Sequence, residues 1–258
     1  MKRIGVVALN TFREAVRDRV LYNLLFFALV MMAASIIAGQ ISIGIEQTVI
    51  ATLGLSAISL IGLLIAIFIG VGLVSKEMDK RTLYALLAKP VRRWEFLLGK
   101  FGGLILTLAV NTAAMGVGLF LALIYVKPGL ERGDATVFVA VYFIWLKLAL
   151  VVALALLFSC FTTPLLAILF TTGIYIVGLY VQELRDLPVA VMSPAMTAFT
   201  KWLSYLLPNF ENFNIMAQAA HSRPVPGAFI LQNTLYAAVY CTLVLTAAVL
   251  VFSRRNLK

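Results

Sequence analysis

The sequence predicts an all-α membrane protein: six transmembrane helices, an N-terminal interfacial elbow helix, a cytoplasmic segment between the second and third spans, and a long outer connection between the fifth and sixth. Three observations carry this. Of 258 residues, 62% are hydrophobic and 12% charged, with a mean hydropathy of +1.02. Soluble domains run at about 45–50% apolar and about 25% charged, and a soluble fold of this size has no way to hide the excess. Six apolar runs are long enough to cross a hydrocarbon core of roughly 30 Å as helices of about 20 residues. None alternates over about ten residues as a transmembrane strand does, and helices satisfy their own backbone groups in lipid. A soluble enzyme and a disordered chain are excluded.

The elements follow in order. Residues 1–19 read as an amphipathic helix, with Ala8, Leu9, Phe12, Ala15, Val16 and Val20 on one side and Asn10, Arg13, Glu14, Arg17 and Asp18 on the other. Such a helix lies in the headgroup plane, apolar face down. The simpler alternative is a solvated start to the first span. The spans are placed at Val20–Gly39, Thr52–Val74, Phe101–Val126, Thr136–Cys160, Pro164–Val181 and Ala228–Phe252. The first is not a cleaved signal, since its leader and apolar run are long and Ala38-Gly39-Gln40 is a poor cleavage site. The whole of 1–258 is expected to be one transmembrane domain.

Charge orients these elements. The net charge is +10, from 21 Lys and Arg against 11 Asp and Glu. In a soluble protein that excess would point to nucleic acid; here three segments, 1–19, 75–100 and the tail from Arg254, hold 15 basic and 5 acidic residues. The other connections hold 5 basic and 6 acidic residues, and Lys147 lies within a span. The positive-inside rule therefore puts both termini and 75–100 in the cytoplasm. The turn at Thr162-Thr163-Pro164 should share that side but has no charge to confirm it.

Segment 75–100 carries more than topology. Leu83, Leu86 and Leu87 form a helical stripe, Pro90 breaks it, and Arg92-Arg93 open a second short amphipathic element with Trp94, Phe96 and Leu97. Apolar anchors beside orienting charges make a docking surface; the competing reading is a basic loop on anionic headgroups. Lys147, midway along the fourth span, either faces a watery path and attracts an anionic substrate group, or snorkels its stem to the interface. With Asn111 and scattered Thr it is the polar candidate for a substrate path. Gly62-Ala66-Gly70 and Ala114-Gly118-Ala122 allow close helix approach without identifying a contact. In the outer connection 182–227, Phe199, Trp202, Leu203 and Leu206 make a stripe suited to the outer interface or to a re-entrant helix. His221 reads as a turn residue, and Cys160 and Cys241 have no metal-ligand spacing.

Missing motifs narrow the function. Gly99-Lys100 is followed by Phe101 and has Trp94 where a phosphate loop needs its first glycine. There is no H-E-x-x-H or G-x-S-x-G, and no span carries Asp or Glu, the usual proton relays of secondary carriers. The chain shows no energy source of its own.

At Ser75–Lys100 the sequence resembles the permease subunits of ABC-2 type transporters, particularly the copper-enzyme-maturation group that includes NosY-like proteins. The residues carrying this are Glu77, Arg81-Thr82, Leu83–Leu87, Pro90, Arg92-Arg93 and Lys100, joined by Phe12-Arg13-Glu14 and Arg17-Asp18-Arg19 in the leader. Where many members have Gly-Thr, this chain has Arg81-Thr82. The resemblance implies a permease without catalytic, cofactor or metal residues of its own, pairing with a second copy. A separate ABC ATPase would bind ATP and Mg and drive transport, usually export. It assigns ATPase coupling to Glu77, Arg81, Thr82, Pro90, Arg92, Arg93 and Trp94, and the elbow to Phe12, Arg13 and Arg17. It implies a multi-pass protein of the cell membrane, of the prokaryotic inner-membrane type, with no nucleic-acid partner. A secondary carrier or channel, or a non-transporting scaffold, are the competing classes. Metal ligands for a copper-related role are lacking, with one His and two Cys in separate spans.

Overall fold

The computed structural model describes residues 2–42, 44–79, 92–126, 135–186 and 194–254. They form ten α-helices and one 3-10 turn, with no strand among the described residues. The helices are α1 Lys2–Val16, α2 Arg19–Ile41, α3 Glu46–Asp79, α4 Arg93–Val126, α5 Thr136–Ser159, α6 Pro164–Leu179, α7 Val181–Asp186, α8 Pro194–Leu206, α9 Met216–Ala220 and α10 Gly227–Arg254. Five of them, α2, α3, α4, α5 and α10, are long and apolar enough to cross a membrane.

The run expected to make a further crossing, Pro164–Val181, is helical only as far as Leu179, 16 residues or about 24 Å. Pro164 at its first turn starts α6, and a break at Tyr180 separates it from α7. Five helices thus reach full spanning length, and α6 is a shorter apolar helix beside them.

The core is built around α5, which is apolar on every side and is therefore enclosed by its neighbours. It packs on α3, α4, α6 and α10. The α3–α5 seam uses the small-residue face read from the sequence: Gly62 lies under Leu148 and Gly70 against Ala155. That face is spent inside the chain. Large apolar side chains of α2, including Phe26, Phe27 and Leu29, point outward, as do Leu231, Leu235 and Leu243 of α10. In a bilayer these are lipid-facing surfaces, since apolar exposure there costs nothing.

Two helices outrun the bilayer. At 34 residues each, α3 and α4 are about 51 Å long against a core of roughly 30 Å. What the sequence divided into a loop element at 92–97 and a span from Phe101 is one continuous helix, because nothing between Arg93 and Val126 breaks it. The cost of Gly99, Gly102 and Gly103, roughly 1 kcal/mol each in an exposed helix, is offset by α1 packing on them.

The two ends of the bundle are distinct. At one, Phe96 and Leu97 of α4 cluster with Cys160, just past α5, and with Ala248 and Phe252 of α10. The uncharged turn after α5 therefore shares an end with the start of α4 and the end of α10. At the other end the chain after α8 folds back into the bundle. The Thr48 hydroxyl donates to the Ala220 carbonyl and the Thr136 hydroxyl to the Arg223 carbonyl. Phe210 and Phe213 are fully buried. His221 ends α9 in a turn, followed by Ser222 at φ 50°.

In α8 the expected apolar stripe does not face the protein. Trp202 and Leu206 are exposed with Tyr205, while Thr200 and Ser204 are buried. The side chain of Phe199 is outside the described residues, and Leu203 is half-buried. The exposed aromatic side suits a bilayer surface, where Trp and Tyr are enriched.

Candidate functional site

The first region is the junction where α4 begins. The backbone N–H of Arg92 donates to the Glu95 carboxylate at 2.9 Å, closing the first turn as a capping box does. One turn of Arg93 then points it at the end of α10. Its Nη1 donates to the carbonyls of Phe252 (3.1 Å) and Ser253 (3.0 Å), and its guanidinium carbon lies 5.9 Å from the centre of the Phe252 ring. The last carbonyls of a helix lack intrahelical partners and carry its negative dipole end, so a guanidinium there is doubly favoured. Phe96 stacks on Phe252 at 6.3 Å. Trp94 and Arg92 remain on the surface.

On the opposite side of this helix, α1 is seated by glycine. A Cβ at Gly99 would stand 2.6 Å from Val7 Cβ, and one at Gly103 would stand 2.5 Å from the Ala8 carbonyl oxygen. Glycines four apart make a flat face for close approach. Ile4, Val7, Ala8, Thr11 and Ala15 therefore form the packed side of α1, with Thr11 and Ala15 fully buried. The amphipathic reading grouped Leu9 with Ala8 and Ala15 on one lipid-facing side; the structure divides that group, with Ala8 and Ala15 against α4 and Leu9 exposed together with Val6. Phe12 is half-buried, and Arg13 and Arg17 are exposed. Lys100, enclosed between the glycines, reaches Glu14 of α1 at 3.5 Å.

Of the sequence-proposed coupling residues, Arg92, Arg93 and Trp94 are thus brought together on one turn. Glu77 lies on the last turn of α3, but its side chain is outside the described residues, as are Arg81, Thr82 and Pro90 entirely. Sequence reasoning missed the Gly99–Gly103 face, although the spacing was visible, and missed the α10 terminus as the partner of Arg93.

The second region is the middle of the bundle. Lys147 is 4% exposed and does not snorkel; its Nζ donates to Ser59 Oγ of α3 at 2.7 Å and lies 5.9 Å from the centre of the Tyr175 ring of α6. Asn111 is also buried, and its Nδ2 has no acceptor among the described residues. The two do not meet. Asn111 shares a face with Gly118, two turns on, which approaches Met32 of α2; Leu148, beside Lys147, covers Gly62 of α3. A groove of about 350 Å³ between α4 and α5, lined by Thr112, Gly116, Val141, Tyr142 and Trp145, contains neither residue. No cluster of three His, Cys, Asp or Glu suited to a metal occurs among the described residues.

Five helices of spanning length around a buried core, with one end gathering α1, α4 and α10 into a single junction, make a multi-pass membrane protein. The chain belongs to the ABC-2 transporter family: a family model described as ABC-2 family transporter protein matches residues 6–257. Comparison with curated proteins found no significant match.

Proposed function

We propose that this chain is the permease subunit of an ATP-driven exporter, powered by a separate ABC ATPase that binds ATP and Mg, within the NosY-like group. Two copies pair through lipid-facing helices, each copy a single transmembrane domain. Counting α6 with the five longer helices gives six crossings, with both termini and the α4 junction on the cytoplasmic side of a prokaryotic inner membrane. The positive charge of 1–19, 75–100 and the tail supports that orientation.

The observation carrying the reading is the junction itself. A rigid stalk, the first two turns of α4, is bonded on one side to α1 and on the other to the end of α10. A force applied at Arg92 and Trp94 reaches an interfacial helix and two spans without passing through a flexible link. Leu9 and Val6 of α1 remain exposed for the headgroup plane. Glu77, Arg81, Thr82 and Pro90 belong to the same docking segment. Lys147 and Asn111 stay on the substrate side of the reading.

Copurification tests it. Tagged protein expressed with its neighbouring genes should retain an ATPase, and Arg92→Glu should weaken that retention at least several-fold at unchanged folding. Recovery of the permease without any nucleotide-hydrolysing partner, or full retention in Arg92→Glu, defeats the docking assignment.

A further inference from the structure

A buried ammonium has three N–H donors and no acceptor. For Lys147 the direct partners are neutral: the Ser59 hydroxyl at 2.7 Å and the face of Tyr175. Ser59 on α3 and Tyr175 on α6 thus meet the same ammonium on α5, and the three residues form one polar node joining those helices. A cation in this setting needs a countercharge.

The countercharge acts from a distance. Glu211 is the carboxylate within electrostatic reach of Lys147. It sits on the 3-10 turn Glu211–Phe213, which two aromatic contacts hold over the node. Phe210 lies 5.1 Å from Tyr175, ring to ring, and Phe213 lies 6.2 Å from Phe143, one helical turn before Lys147. The Phe210 N–H donates to the Gly178 carbonyl at the end of α6. The carboxylate itself accepts from Asn214 Nδ2 at 3.0 Å on the exposed side. Glu211 is thus anchored outward while compensating a charge inward.

The helix that covers the node is thin. Ala167, Thr171, Tyr175 and Gly178 face inward on α6, whereas Leu169, Phe170, Ile176 and Val177 are exposed on its other side. One short helix separates the ammonium from the lipid-facing surface. A ligand suited to that position has an oxyanionic headgroup and an apolar tail.

We propose that Lys147, Ser59 and Tyr175 form a binding site for the oxyanionic headgroup of an amphiphile, which replaces Glu211 as the countercharge of Lys147. The ammonium and the two hydroxyls donate to the headgroup, and the tail lies along α6 in the bilayer. This deepens the permease reading and rests on it for biological meaning, but the binding itself is a property of this chain alone.

The test uses the full-length permease in phosphatidylcholine nanodiscs, without any ATPase, and equilibrium binding of dodecyl phosphate against uncharged dodecyl maltoside. Wild-type protein should prefer the phosphate at least ten-fold, and inorganic phosphate should compete poorly. Lys147→Met should abolish the preference, Lys147→Arg should keep most of it, and Glu211→Gln should tighten dodecyl phosphate several-fold. If Lys147→Met fails to fold, Ser59→Ala, with an expected three- to ten-fold loss, decides instead. An unchanged preference in a folded Lys147→Met or in Ser59→Ala overturns the site; unchanged affinity in Glu211→Gln overturns the exchange of countercharge. Failure to capture an ATPase leaves each of these results intact and bears on the permease reading alone.

Discussion

Among the described residues two lysines are buried, and they are accommodated in opposite ways. Lys100, near the start of α4, has a carboxylate, Glu14, at 3.5 Å and lies 5.8 Å from the centre of the Phe96 ring. Lys147, midway along α5, has a serine hydroxyl, a tyrosine ring, and a carboxylate that acts only through space. The first is held where a helix emerges toward water and its partner is half exposed, so the pair adds no more than about 1 kcal/mol. The second is buried within the bundle, away from its ends. A direct pair closes a structure; a cation left with neutral neighbours retains capacity for an anion.

The strongest way to break this comparison is to remove the partner of Lys100 by unseating α1. In Gly103→Leu the new side chain meets the Ala8 carbonyl and Thr11, which are backbone and a stiff β-branched residue. The expected cost is about 3 kcal/mol or more, within the range for overpacked contacts, and zero-length carbodiimide cross-linking of Glu14 to Lys100 should slow markedly. An unchanged cross-linking rate would show that α1 is not held by the glycine face.

Next in size is Arg93→Ala, which removes two hydrogen bonds to the last carbonyls of α10 and the contact with Phe252. The expected loss is about 2 kcal/mol, at about 1 kcal/mol per hydrogen bond. It should appear as faster proteolysis of the tail after Arg254, with the ATPase still bound. Loss of ATPase retention equal to that of Arg92→Glu would make Arg93 a docking residue rather than an internal strut.

Both lysines were visible in the sequence, but their environments were not. Membrane spans are legible because about 20 apolar residues have few other uses, and α5 matched its expected start at Thr136. The early start of α4 was hidden because Arg93, Glu95 and Lys100 lower hydropathy without interrupting the helix. The packed side of α1 was obscured for a related reason: amphipathicity ranks residues by apolarity, whereas the fit to Gly99 and Gly103 selects by size and admits Thr11. Ser59 is 88 residues from Lys147, and no local pattern brings a serine and a lysine together over that distance. Glu211 was counted with an outer connection because the chain's return into the bundle depends on Phe210 and Phe213 finding pockets on other helices.

The smallest effects sharpen the contrast most. Replacing Lys147 by Met removes a buried charge and leaves only the neutral side chains of Ser59 and Tyr175 at the node. Exchanging buried ionic groups for well-packed apolar ones is often neutral or stabilising. Thermal unfolding should therefore show a gain of about 1 kcal/mol or no loss, together with the loss of anion preference. Lys100→Met should change stability by less than about 1 kcal/mol, because Glu14 is half exposed and water solvates its freed carboxylate. It should leave anion preference untouched, since Lys100 lies in the α1–α4 contact and has no part in the Ser59–Tyr175 node. Equal destabilisation by both substitutions would mean that the two lysines do the same structural work, and the distinction between a closed pair and an open cation would fall.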